Sequence, residues 1–198
     1  MVDYLDPKPN RVFLDTNVIW HWHTFGDQIE EMAGWDDETI QRLGPKAIID
    51  LEAFGWIYDA AQRYGTFDFV TSLNTLHELQ SKAHDDKGVF RLEFAQELFD
   101  WWVEQIKTHY PDEDFRDSMS RARTWLGHGT FDFLPHSEDR LLVASGMAAH
   151  CSIFLTMDYK TILPYRKKIW ELTRMSVSRP SQFRARFRTN RDRSARVC

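Results

Sequence analysis

The chain has 198 residues, 42% of them hydrophobic and 28% charged, with a formal net charge of −5. That is the size and mixture of one ordinary globular domain with a sizeable core. No apolar stretch is long enough to cross a bilayer, the charged N-terminus has no signal-peptide core, and two cysteines, Cys151 and Cys198, make no disulfide framework, so a reducing, cytoplasmic setting is expected.

The charge is unevenly placed. Residues 179–198 hold seven Arg and one Asp, +6, which leaves −11 for residues 1–178. An acidic body with a basic tail is not a generic basic nucleic-acid binder. Excess acid suits a metal site, although most of it must be solvated surface.

In chain order, Arg11–Leu14 reads as a short buried strand, followed by the turn-forming Asp15-Thr16-Asn17. Residues 20–46, rich in Trp, His and acids, read as a helical excursion. Ala47–Tyr64 has helical spacing and stops at Gly65. Phe67–Val70 reads as a second strand, and the helix after it, about 73–83, carries Glu78. Residues 90–107 are a strong helix with two apolar faces: Phe90, Phe94, Leu98 and Trp101 on one, Leu92, Ala95, Phe99, Val103 and Ile106 on the other. Core is its ordinary destination; a face bearing Trp101 or Trp102 that meets a second copy or a partner is the minority alternative. A helix over 116–126 ends at Gly127-His128-Gly129. Then come a helix over 138–149, a strand over 152–156, a short helix near 159–167 and an apolar stretch at 169–177. Strands alternating with helices predict an α/β sheet, mainly parallel, with right-handed crossovers.

Four acids fall where such a sheet collects its chemistry. Asp15 ends the first apolar run, and Asp158 follows a later one, Ile-Phe-Leu-Thr-Met-Asp (153–158). Glu78 sits in the helix after the second strand, and Asp139 opens the helix at Ser-Glu-Asp-Arg-Leu-Leu (137–142). Acids at strand ends and helix starts converge at one edge of a parallel sheet. Hard oxygen ligands there would suit Mg²⁺ or Mn²⁺ and metal-assisted attack of water on a phosphodiester. Each acid also has a bland role. Asp15 can form an Asx turn or cap a helix, and Glu78 can complete a capping box with Thr75. Asp139 can favour the positive end of its helix, and Asp158 can cap the helix starting at Tyr159.

Leu-Asp-Thr-Asn after the first strand, Glu in the following helix, Asp-x-x-Leu opening a later helix and Thr-x-Asp ending a later strand resemble the PIN-domain nucleases. Ser-Val-Ser-Arg-Pro-Ser-Gln-Phe (176–183) resembles the last strand and Pro-x-x-Phe tail of that family. The resemblance covers the order and the ends of the chain, not the middle. It implies a PIN-like three-layer sandwich over 1–183, with a helical insertion at about 85–130 and an Arg-rich, flexible tail over 184–198. It implies Asp15 and Asp139 as direct metal ligands, with Asp158 and Glu78 binding directly or through water. Thr16, Asn17 and Thr156 would support them, with ordinary turn chemistry as the alternative for Thr16 and Asn17. The activity implied is that of a divalent-metal-dependent endoribonuclease leaving 5′-phosphate and 3′-hydroxyl ends. Many small relatives are toxins held by a cognate antitoxin; an antitoxin-like partner and a homodimer are therefore expectations, left open by this chain's greater length. The family often has another acid just after the position of Asp158, where Tyr159, Lys160 and Thr161 stand here, so a second metal site is in doubt. Arg184, Arg186 and Arg188 are candidate phosphate contacts.

The rival class is a PIN-like module that binds RNA or protein without cutting. A haloacid-dehalogenase-like phosphatase would want an Asp where Asn17 stands. No Gly-x-Ser-x-Gly elbow or phosphate-binding Gly-rich loop is present, and His21 and His23 lack partners at zinc-like spacing.

Overall fold

The computed structural model describes residues 8–30, 34–65, 67–109 and 115–194. The elements run β1 (Lys8–Leu14), α1 (Thr16–Glu30), α2 (Asp37–Leu43), α3 (Pro45–Tyr64), β2 (Asp68–Val70), α4 (Leu73–Ser81), α5 (Asp86–His109), α6 (Phe115–Gly127), α7 (Ser137–Ala148), β3 (Cys151–Leu155), a 3₁₀ turn (Leu163–Tyr165), α8 (Arg166–Thr173), β4 (Ser176–Ser178) and α9 (Pro180–Ser194). The strands form one sheet in the order β2-β1-β3-β4, and every pairing is parallel.

A parallel sheet is covered on both faces, so its central strands must be apolar throughout. The second half of β1 obeys this: Val12, Phe13 and Leu14 are fully buried, and Phe13 stacks on Phe154 of β3 at 5.0 Å, while the buried Arg11 before them donates to the Ala149 carbonyl at 3.0 Å. α7 lies close against these strands because Gly146 has no side chain. A Cβ there would stand 3.2–3.3 Å from Met175, Phe154 and Phe13. The same helix carries Asp139 at its other end.

Local signals set most boundaries. Ser72 caps α4 by accepting from the Thr75 amide, and Gly65 closes α3 in the left-handed conformation. Ser72, not Thr75, is therefore the cap, and Glu78 lies in the body of α4; the capping-box alternative for Glu78 fails. The expected insertion at 85–130 contains α5 and α6, which lie within the crossover from β2 to β3. In α5 the core takes Ala95, Phe99 and Trp102, while Phe90 and Trp101 are exposed. Residues 159–162 form turns rather than the expected short helix, and the stretch 169–177 divides between α8 and β4.

The expected flexible tail also reads differently. Over 184–194 it continues α9, which packs on α3. Phe183 and Phe187, four residues apart, share one face of that helix and meet Phe67 edge-on at 5.1 and 4.9 Å. Residues 195–198 lie outside the described residues.

A candidate active site at the switch point of the sheet

From β1 the chain moves to β2 on one side; from β3 it moves to β4 on the other. The order thus reverses between the two central strands, and a crevice opens beyond their C-terminal ends. Leu14 pairs with Leu155, so the residues just after them, Asp15 and Thr156, leave the sheet together. The ladder continues one step: the Asp15 amide donates to the Leu155 carbonyl at 3.1 Å and the Thr156 amide to the Ser178 carbonyl at 3.1 Å.

Side chains then tie the two strand ends. Thr156 Oγ1 donates to Asp15 Oδ2 at 2.5 Å, and Asn17 Nδ2 donates to the same oxygen at 2.7 Å. Asn17 Oδ1 accepts from the Met157 amide at 2.9 Å, and Thr156 Oγ1 accepts from the Asp158 amide at 2.9 Å. β3 ends at Leu155, so Thr156 and Asp158 are joined by this hydrogen bond within the turn and not by strand alternation.

Asp15, Glu78, Asp139 and Asp158 line one cleft of about 430 Å³. They arrive from the end of β1, the middle of α4, the first turn of α7 and the turn after β3. Asp15 is 2% exposed. Burial pushes its carboxyl up to about 7; the Thr156 hydroxyl opposes this, and the nearby Asp139, Asp158 and Glu78 reinforce it. Asp139 is also pushed up, first by burial, against the pull of the Thr161 hydroxyl, and further by Asp158. Asp158 goes the other way. Burial is its largest single influence, but the Thr161 hydroxyl and the amides of Thr161, Lys160 and Ile162 outweigh it and hold the carboxyl below its ordinary value. Asp158 also acts as a cap, though of the turn at 159–162 and not of the expected helix, accepting from Lys160 N at 2.8 Å and Thr161 N at 2.6 Å. Glu78 is half-exposed and paired with Lys82, one helical turn on, at 2.7 Å.

Three buried polar atoms of the lining have no hydrogen-bond partner: Thr16 Oγ1, Asn74 Nδ2 and Asp139 Oδ2. Thr16 itself is only 5% exposed. Unpaired buried donors and acceptors are costly, so their gathering on one cleft points to a polar occupant. The donor set, carboxylates with a hydroxyl and an amide, has the chemistry of a Mg²⁺ or Mn²⁺ site. Among the described residues, however, no three His, Cys, Asp or Glu side chains are gathered into a group that could hold an ion. Thr156 bonds Asp15, Lys82 bonds Glu78, and Thr161 bonds both Asp158 and Asp139.

Sequence reasoning missed Asn74 and Glu138, which also line the cleft. Asn74 was accessible to it: four residues before Glu78 on one helix, the two share a face. Of the basic candidates, Arg184 lies over the Trp56 ring at 5.4 Å, and Arg186 donates to the hydroxyls of Ser176 and Ser178 at 3.2 and 3.4 Å. Neither lines the acidic cleft. The Arg188 side chain lies outside the described residues.

No family model matches the chain, and neither a curated protein nor a solved structure matches it. No helix among the described residues is long and apolar enough to cross a membrane.

Proposed function

We propose that the chain is a PIN-like, divalent-metal-dependent endoribonuclease that hydrolyses phosphodiesters with activated water. The observation that carries this reading is the convergence of Asp15, Glu78, Asp139 and Asp158 on one cleft at the switch point. The unpaired oxygens of Asp139 and Thr16 and the raised carboxyl of Asp15 accompany it. Crowded carboxylates repel, and a cation is the economical remedy. Asp15 and Asp139 would hold Mg²⁺ or Mn²⁺ directly, with Asp158 and Glu78 binding directly or through water, and the bound ion would supply Lewis-acid polarisation of phosphate and water.

The chain's own residues do the positioning. Thr156 and Asn17 fix the Asp15 carboxylate from two directions, leaving its other oxygen for work in the cleft. Thr161 holds Asp158 and keeps it ionised. Thr16 and Asn74 offer uncommitted donors to a phosphate oxygen. The Glu78–Lys82 pair is an exposed helical pair of a kind worth about 0.3–0.5 kcal/mol, so Glu78 exchanges it readily for a better partner. The choice of RNA, the 5′-phosphate products and a toxin role restrained by an antitoxin-like protein rest on the motif resemblance.

One observation favours a second reading, a catalytically silent PIN-like module binding RNA or protein: the carboxylates as they stand form no ready ion-holding group. The deciding experiment is cleavage of single-stranded RNA by the purified chain with Mg²⁺ or Mn²⁺, with excess chelator, and by Asp139→Asn. Cleavage that needs the ion and vanishes in a folded Asp139→Asn protein supports the nuclease. A folded wild type that binds RNA and leaves it intact with either ion selects the silent module.

A further inference from the structure

The acidic body carries a strongly basic stretch. Residues 159–187 hold eight Lys or Arg and one Glu, a net of +7 in a chain whose total is −5. The fold gathers part of this charge around α8. Asp158 is at the cleft; its neighbour Tyr159 lines a second cleft of about 300 Å³ with Lys46, Arg166, Arg179 and Gln182. Arg166 also lines a third, of about 420 Å³, with Lys167, Trp170, Ser176 and Arg186. Arg166 thus joins the second and third clefts along α8, and Tyr159 at one end is the residue after Asp158.

The charges around α8 are not all equivalent. Arg179 is neutralised by the buried Asp50 at 2.9 Å, and Lys167 approaches Glu171 at 3.8 Å in an exposed pair. Arg186 donates to neutral hydroxyls and Lys46 stands over the Tyr159 ring at 4.0 Å; among the described residues neither is in an ion pair with a carboxylate. Among them Trp170 leaves 45% of its surface in water, with Arg174 at 5.9 Å from its ring. An exposed indole set among cations combines the two parts of a single-strand site: a face on which an unpaired base stacks and charges that track the backbone. Duplex bases are already stacked and do not offer that face.

We propose that the α8 face, from Tyr159 and Lys46 through Arg166 and Lys167 to Trp170 and Arg186, is a track for single-stranded nucleic acid. That the strand passes from there into the acidic cleft rests on the nuclease reading; the binding face itself does not.

The test uses the full chain in excess chelator, so that binding is read without cleavage. Fluorescence anisotropy is followed with labelled single-stranded RNA and DNA of about 12 nucleotides, within the site sizes of single-strand binders, and with the corresponding duplex. Trp170→Ala weakens single-strand binding roughly 5- to 100-fold, the scale of one stacked base, and Trp170→Phe loses much less. Arg166→Ala with Lys167→Ala reduces the log–log salt slope by about 1.4, two phosphates' worth. These side chains are exposed or partly exposed, and unchanged thermal melting confirms that the variants fold. The proposal is overturned if the variants bind like the wild type, if the wild type binds no strand, if duplex binds as tightly and ignores Trp170, or if polyglutamate competes as well as the oligonucleotide, which would make the face a dock for acidic protein. Trp170-dependent binding without cleavage in added Mn²⁺ keeps the track and removes the nuclease reading; cleavage with unchanged affinity in the variants does the reverse.

Discussion

Thr156 Oγ1 donates to Asp15 Oδ2 at 2.5 Å, joining residues 141 apart in the chain across the ends of β1 and β3. The bond makes the hydroxyl a positioning group for the most buried acid of the cleft. Thr156→Val keeps the shape and removes the donor. It is expected to cost about 1–3 kcal/mol of stability and to lower ion-dependent cleavage by about 10- to 100-fold, while Thr156→Ser restores most of both. Denaturant unfolding and cleavage rates on the same preparations check it. Equal activity of the Val and Ser proteins would show that the bond serves folding alone.

Asp15→Asn separates charge from volume. Ion-dependent cleavage should vanish, and the ion-free protein should become more stable above neutral pH, by about 1–3 kcal/mol, because a buried charge among like charges is gone. For a chain of this size that is roughly 3–10 °C in thermal midpoint. A lower midpoint at pH 8 in chelator would show that the carboxylate is stabilising and already compensated.

The pH dependence has a definite sign. Asp15 is raised in the folded state to about 7 from 3.8, so the folded protein holds its proton more tightly than the unfolded chain does. The associated stability is complete below about pH 4 and is lost as pH rises towards 7, by up to about 4 kcal/mol. Added Mg²⁺ or Mn²⁺ should restore it, more strongly at pH 8 than at pH 5, where a proton must first leave. Thermal melts at several pH values, with and without ion, decide the matter; an ion response independent of pH would place binding away from Asp15.

Asp50 predicts a stability effect outside the acidic cleft. Fully buried, it accepts from Arg179 Nε at 2.9 Å, the Tyr159 hydroxyl at 2.6 Å and the Ser181 amide at 3.1 Å, pinning α3 to the turn after Asp158 and the start of α9. Asp50→Ala strands all three donors and should cost about 3–5 kcal/mol. Chemical denaturation measures it. A loss below about 1 kcal/mol would mean that water replaces the carboxylate.

Much of the frame was legible along the chain because its signals are local. The apolar runs at 11–14 and 67–70, the stop at Gly65 and the helix openings before Glu78 and Asp139 depend on neighbouring residues. So does the order of the four acids. What α9 does was half-written, since Phe183 and Phe187 stand at helical spacing, but their partner Phe67 lies more than a hundred residues earlier. Asp50 carries no local signal, because its partner Arg179 lies 129 residues further along the chain. The use of Thr156, the unpaired Asn74 amide and the sharing of one cleft by four acids depend on strand order, register and the packing of α7 at Gly146. Those are properties of the closed core. A parallel sheet brings together strand ends far apart in sequence, and no local pattern encodes which ends will meet.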